Sequence, residues 1–301
     1  MPSSSETTFL APGKLVLAGE YAVVDGSPAI VMAIDRGVGC IKKSGQGIST
    51  PSGDKRFVLP ALKDSLNQHH FYFFNWNPVT EIPSDQKPGF GGSAAACVAS
   101  CAAAGHTLSN AYNIHKKVQG SGSGIDIAAA IHGGIIHFQN TAQLPKIETC
   151  HLPKETLPIV IWSGQAAKTG PRVQKYLSWN QRSTFVKETE QLLNTFLLKP
   201  IETTRQLHRL LCSMSTNTDI QYETPQMKHI VEIAERNGGA AKASGAGGGD
   251  CMIAFIPPNQ RPNFISELNQ SGYINIEYNI ARGIKASVSH SKPLSIKSSH
   301  E

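Results

Sequence analysis

Four segments of the chain gather glycine, serine and one or two charged side chains into short runs, the composition of a loop that binds an anion. The first, Lys87-Pro-Gly-Phe-Gly-Gly-Ser-Ala-Ala-Ala96, places its glycines just before an alanine run. Glycine lets backbone N–H groups crowd toward one point, and the start of the following helix adds about half a positive charge. Ser93 sets a hydroxyl at that mouth, where a Mg2+ ion could be ligated. The segment lacks the Gly-Lys-Ser/Thr of a Walker A loop, and its plain alternative is a tight turn. The second, Gln119-Gly-Ser-Gly-Ser-Gly-Ile-Asp126, also enters an apolar run, and Ser123 with Asp126 equally fits a capping box. The third, Lys242-Ala-Ser-Gly-Ala-Gly-Gly-Gly-Asp250, holds more glycine than a hairpin needs and points to close backbone approach to a ligand. The fourth, Ala11-Pro-Gly-Lys-Leu-Val-Leu-Ala-Gly-Glu-Tyr21, sets Lys14 in a strand-like run. Alone such a lysine reads as solvated; beside three anion-type loops it reads as their counter-charge.

The elements that must hold these loops follow from periodicity and turn chemistry. Residues 9–43 read as short strands broken by turns, 44–56 as a loop, and 93–104, 110–118 and 125–131 as helices, the last ending at Gly133-Gly134. A strand is expected at 135–138 and a buried one at 157–162. Charged amphipathic patterns follow over 171–198, 201–214 and 224–237. Strands at 240–242 and 251–256, a helix at 261–270 and a strand at 283–288 complete the pattern, and no internal repeat is present. Strands and helices mix without strict βαβ alternation, so the class is α+β. Pro145, Pro153 and Pro158 mark a boundary, giving units 1–155 and 156–290 and a frayed polar tail at 291–301.

Composition narrows the function classes. The chain has 301 residues, 40% hydrophobic and 17% charged, the reverse of a disordered sequence. Its 27 glycines come in clumps, not at every third position, which excludes collagen. The net charge of +6 permits an anionic partner. Basic residues are scattered without interleaved aromatics, so no nucleic acid is expected, and the aromatic group Phe71 to Trp76 reads as packing. The six cysteines form no C-x-x-C pair and no zinc spacing, which suits reduced thiols in a core and a cytoplasmic protein. The polar Met1 to Thr8 is no signal peptide, and no apolar run reaches the ~18 residues of a membrane span.

Three motifs in order, APGKLVLAGEY at 11–21, PGFGGSAA at 88–95 and KASGAGGGD at 242–250, resemble the GHMP small-molecule kinase superfamily over almost the whole chain. Within it the chain most resembles the phosphomevalonate kinases, through GEYAVVDGSPAIVMAIDR at 19–36, HKKVQGSGSGIDIAAAIHGG at 115–134 and IWSGQAAKTGPRVQKY at 161–176. The resemblance implies two lobes, an N-terminal one like ribosomal protein S5 that binds ATP and a ferredoxin-like C-terminal one, with ATP, Mg2+ and a small anionic substrate between them. It implies a monomer or homodimer and no membrane partner. Pro88, Gly89, Gly91, Gly92, Ser93 and Ala94 would hold the ATP phosphates, with Ser93 facing the metal. Lys14 and Asp126 would be catalytic. Glu20, Tyr21, Ser121, Gly122, Ser123, Ser163, Gly164, Lys168, Arg172, Ser244, Gly245, Ala246, Gly247 and Gly248 would line the acceptor pocket.

Two departures from the superfamily pattern bear on this reading. Gly92 stands where relatives usually carry the first of two serines, which removes a hydroxyl donor worth about 1.5–3 kcal/mol against a charged phosphate. His115 stands where mevalonate kinases carry a metal-binding carboxylate, which points away from them. The acceptor also decides the role of Asp126. An alcohol needs a base, whereas a phosphomonoester, with a second pKa near about 6, is mostly ionised at pH 7. For a phosphorylated acceptor Lys14 would matter more than Asp126, and cations among Lys168, Arg172 and Lys175 would bind the added charge. The open alternatives are a mevalonate kinase or another small-alcohol kinase, a decarboxylase of diphosphomevalonate, and a catalytically silent ligand sensor on the same fold.

Overall fold

One long antiparallel pair sets the architecture. β1 (Ser5–Ala18) and β2 (Ala29–Ser44) run side by side through almost their whole length. The computed structural model describes residues 5–83, 86–120, 122–141, 145–167 and 169–290. Ser121, Lys168 and the tail 291–301 lie outside the described residues. On its other side β2 pairs twice, its first half with β5 (Ile135–Gln139) and its second with β4 (His69–Trp76). β3 (Gly47–Ser49) joins β4 in parallel and β6 (Lys146–Cys150) joins β5, so the sheet has seven strands. The second sheet has four antiparallel strands in the order β10 (Ile274–Ile276), β7 (Ile159–Trp162), β9 (Cys251–Phe255), β8 (Ala240–Ala243).

The helices are α1 (Leu59–Leu62), α2 (Gly92–Ala104), α3 (Ser109–Gln119), α4 (Ile125–His132), α5 (Thr169–Leu177), α6 (Arg182–Phe196), α7 (Pro200–Thr218), α8 (Pro225–Arg236) and α9 (Arg261–Gln270). Among the described residues, none is long and apolar enough to cross a membrane.

Strand alternation explains the core. Ile159, Ile161, Met252 and Ala254 pack with Met227, Ile230 and Phe264 of the covering helices. Their neighbours Val160, Trp162, Ile253 and Phe255 point the other way and pack with Leu15, Leu17, Ile30 and Met32 of the large sheet. β7 and β9 are thus buried on both faces, which is why each reads as an unbroken apolar run. Burying each such side chain contributes about 1.5–3 kcal/mol. α2 lies on the large sheet through Ala94, Ala95, Val98 and Ala99, small enough to let helix and sheet approach closely.

The structure corrects two expectations. The 44–56 stretch is not all loop, since β3 forms within it. The last strand, β11 (Lys285–His290), leaves the second unit and pairs antiparallel with Ser5–Leu10 of β1. The returning chain is fastened by Asn279, whose backbone and side chain both donate to Asp35 at 2.8 and 2.9 Å, and by the Ala281 N–H to the Ala33 carbonyl. β1 would otherwise offer a bare row of backbone donors and acceptors along that edge.

Candidate active site

The site is organised where β1 shifts register between Ala11 and Gly13. A Cβ on Gly13 would lie 2.1 Å from the Arg36 carbonyl oxygen, and one on Gly37 2.1 Å from that of Ala11. Only glycine permits this crossing, and the shift re-aims the next side chain. The Lys14 N–H then donates to the Phe90 carbonyl at 2.9 Å, tying β1 to the first glycine loop. Lys14 is only 8% exposed. Its Nζ donates to the Gly89 carbonyl at 3.2 Å and stands 3.9 Å from Asp126 Oδ1.

The loop takes the shape its glycines allow. Gly89 and Gly91 have φ of 76° and 75°, the left-handed region. Gly91 caps α2, so the N–H groups of Gly92, Ser93 and Ala94 sit in the first turn, where a helix leaves its donors without intrahelical partners. A Cβ on Gly91 would come within 3.2 Å of Asp126 Oδ2 and 3.3 Å of Lys14 Cγ. Asp126 lies in the first turn of α4, whose N-cap is Gly124 at φ 82° with no side-chain cap. The capping-box alternative for Ser123 is therefore not realised: its Oγ accepts from Ile125 N at 3.3 Å, and Asp126 turns to Lys14.

The third glycine loop closes the same cleft. Ser244 Oγ accepts from Val16 N at 2.9 Å and donates to Val16 O at 3.2 Å, fixing the loop to β1. Tyr21, at φ 60°, donates its hydroxyl to the Ala246 carbonyl at 2.6 Å. Lys14, Glu20, Tyr21, Pro88, Gly89, Gly91, Gly92, Ser93, Gly122, Ser123, Asp126, Ser244, Gly245 and Ala246 all line one cleft of about 1750 Å3. Segments that the sequence separates widely therefore face one space.

Several expected contacts do not line it. Ala94 is buried against the sheet, so only its backbone is at the mouth. Ser163 is buried, and its hydroxyl donates to Gln165 O at 3.3 Å, while Gly164 is exposed outside the cleft. Gly247 and Gly248 form the back of their loop. A Cβ there would strike Tyr222 at 2.4 Å and the Arg172 guanidinium at 1.9 Å. Arg172 thus stacks behind the glycine loop, and its Nε donates to Gln221 O at 3.4 Å. Lys175 pairs at the surface with Asp219 at 3.0 Å. Glu20 does line the cleft, but its carboxylate is committed to Lys242: the two form a buried ion pair. Burial lowers the Lys242 ammonium from its ordinary value, and Glu20 opposes that shift.

Asp250 is the residue that motif reading passed over. It ends the third glycine segment at φ 58°, its N–H donates to Gln165 O at 2.7 Å and its Oδ1 accepts from Ala167 N at 2.9 Å. A Cβ on Gly89 would lie 2.5 Å from this carboxylate. Burial raises its pKa, opposed by the Ala167 N–H and by the charges of Lys14 and Arg172. Its signal in the sequence was an acid placed directly after three glycines.

Kinship matches this geometry. The family model for the GHMP kinases C-terminal domain matches residues 198–274. Mevalonate kinase from Thermococcus onnurineus is 28% identical over 306 residues, covering 83% of this chain and 89% of that protein. Phosphomevalonate kinase from a Streptomyces species is 27% identical over 331 residues, covering 82% and 88%. The solved structure of Methanococcus jannaschii mevalonate kinase shares the fold, with a TM-score of 0.72 at 21% identity over 91% of this chain and 98% of that one. The chain carries a GHMP kinases C-terminal domain and is similar over most of its length to mevalonate and phosphomevalonate kinases.

Two further features of the site bear on its chemistry. Ser93 Oγ lies 3.4 Å from His115 Nε2. Burial holds the His115 imidazole below its ordinary pKa, against the pull of Asp126, so the ring is neutral at pH 7. At Gly92, a Cβ would meet nothing within 4 Å. The backbone here has room for a side chain at the place where it carries none.

Proposed function

We propose that this chain transfers the γ-phosphoryl group of ATP to the phosphate of phosphomevalonate, giving diphosphomevalonate. The observation that carries the reading is Lys14: a scarcely exposed ammonium held between the Gly89 carbonyl and Asp126, at the mouth of α2. Phosphoryl transfer needs positioning and charge neutralisation more than covalent chemistry. The free N–H groups of Gly92, Ser93 and Ala94 hold the ATP phosphates, and Lys14 neutralises charge on the group in flight. The resemblance of segments 19–36, 115–134 and 161–176 to phosphomevalonate kinases, and the neutral His115, support a phosphorylated acceptor.

Ser93 and Asp126 fit a hard cation such as Mg2+, which prefers a few oxygen donors and keeps its own waters. His115, a nitrogen base, would leave Mg2+ to them; its Nε2 lies 3.4 Å from the Ser93 hydroxyl. Bound Mg2+ supplies neutralisation of the phosphate oxygens.

Mevalonate is the second acceptor to consider, because mevalonate kinases outnumber phosphomevalonate kinases among the relatives. A coupled ADP-release assay with mevalonate, phosphomevalonate and diphosphomevalonate in parallel separates the readings. Turnover with phosphomevalonate is expected; turnover with mevalonate alone overturns the proposal, and none with any of the three favours a ligand sensor.

The room at Gly92 gives a gain-of-function prediction. Gly92→Ser should restore a hydroxyl donor to the phosphates, with no clash and no left-handed φ to oppose it. A hydrogen bond to a charged group adds about 1.5–3 kcal/mol, so the Kd for ATP should fall about tenfold or more. Isothermal titration with a non-hydrolysable ATP analogue reads it. An unchanged or weaker Kd would place the ATP phosphates elsewhere than over the α2 N-terminus.

A further inference from the structure

Behind the third glycine loop, three metal-ligating side chains converge outside the cleft. His208 and Cys212 stand one turn apart on α7, and Glu223 comes from the segment leading into α8. His208 Nε2 is 2.7 Å from Glu223 Oε1 and 3.4 Å from Cys212 Sγ, and the three ligand atoms all lie within 4.8 Å of one another. All three are partly buried, and none lines the cleft.

The arrangement does not suit a nucleophilic relay. In such a relay the acid orients the imidazole through the nitrogen opposite the one that serves the thiol. Here thiol and carboxylate both meet the same nitrogen, Nε2. Three unlike donors aimed at one point is the geometry of a ligand set. Zinc takes nitrogen and oxygen at about 2.0–2.2 Å and sulfur at about 2.3 Å, so tetrahedral neighbours sit about 3.3–3.6 Å apart. The sulfur–nitrogen separation already falls there. The nitrogen–oxygen pair would open by about half an ångström, which a glutamate side chain can do by rotation.

We propose that His208, Cys212 and Glu223 bind a zinc-type divalent cation, with one water completing a tetrahedral site. A thiolate among the ligands selects zinc over magnesium or calcium. On binding, the His208 ring ligates through Nε2 and holds its hydrogen on Nδ1, the thiol hydrogen passes to solvent, and the ion takes the lone pairs of nitrogen, sulfur and carboxylate; no electron changes hands.

The site has a structural consequence for the cleft. Glu223 follows Tyr222, whose carbonyl accepts from Gly248 N at 2.6 Å and whose ring lies against Gly247. An ion joining Glu223 to α7 would fix the backing of the third glycine loop. This holds whatever the phosphoryl acceptor is.

The test titrates the full chain, stripped with chelator and kept reduced, with Co2+ as the spectroscopic probe and Zn2+ as competitor. One equivalent of Co2+ should give a thiolate-to-cobalt charge-transfer band and the intense visible bands of four-coordinate cobalt, both lost on adding Zn2+. Cys212→Ser should abolish the charge-transfer band, and His208→Gln or Glu223→Gln should weaken Co2+ at least about a hundredfold, since outer partners alone cost about 10–100-fold. Cys150→Ser, at the other partly exposed thiol, should leave the spectrum unchanged. If a variant does not fold, protection is measured in the wild-type chain: Zn2+ should slow alkylation of Cys212 but not of Cys150. A band that survives Cys212→Ser, or the absence of both a band and Cys212 protection, overturns the site.

Discussion

Lys14→Met should lower kcat about 10³-fold with the chain still folded and still binding ATP. Among the described residues, Lys14 is the one cation whose ammonium meets both the first glycine loop, through the Gly89 carbonyl, and Asp126. Removing a single preorganised donor from a transition-state site costs about 10²–10³-fold, and removing a charge aimed at a transferring phosphoryl group about 10³–10⁵-fold. Methionine keeps the stem, which packs against Gly91, and deletes only the charge. The comparison that gives the result meaning is Asp126→Asn. If the acceptor is an ionised phosphate, Asp126 has no proton to remove and serves to orient Lys14 or the metal, so its loss should be near tenfold. An alcohol acceptor would need a base, and general-base loss costs about 10²–10⁴-fold. Steady-state kinetics at saturating ATP and acceptor measure both. A larger kcat loss for Asp126→Asn than for Lys14→Met would overturn both the order and the phosphorylated acceptor it rests on.

The second large effect is on stability. Lys242→Met should destabilise the fold by about 3–5 kcal/mol, the cost of leaving one member of a buried ion pair alone. Lys242 is fully buried on β8 and Glu20 almost so, in the turn after β1, so the pair joins the two sheets. Burial works against the Lys242 ammonium, and Glu20 is what keeps the charge tolerable. Among the described residues, the second Glu20 oxygen has no hydrogen-bond partner, so without Lys242 the carboxylate would be left with neither countercharge nor donor. At about 2–4 °C per kcal/mol, Tm should fall by about 10 °C. The double variant Lys242→Met with Glu20→Leu should recover most of that loss, because an apolar pair carries no desolvation debt. If the double variant melts no higher than the single one, pairing of charges is not what Lys242 supplies.

Much of the frame is legible in the chain. The alanine run after Gly91 reads as α2 because alanine loses little entropy in a helix, and Gly105 ends it in the left-handed conformation. β7 and β9 read as strands because both faces are apolar. Other features leave no local trace. β3 is three residues inside a polar stretch and exists because β4 offers it an edge. β11 is exposed over residues 285–288, and its pairing with β1 makes it a strand. Glu20 and Ser163 read as pocket residues from their motifs, yet burial has already committed Glu20 to Lys242 and the Ser163 hydroxyl to Gln165.

By itself the sequence determined which positions could take a left-handed turn, where helices start, and that three anion-type loops recur in the order of one superfamily. These are local properties, written in neighbouring residues. Tertiary structure alone decided that Lys14 would meet Gly89 and Asp126, that Asp250 would stand behind Gly89, and that Arg172 would back a glycine loop rather than line the cleft. Those outcomes turn on contacts between distant segments, where burial and close packing select partners that no short stretch of chain can name.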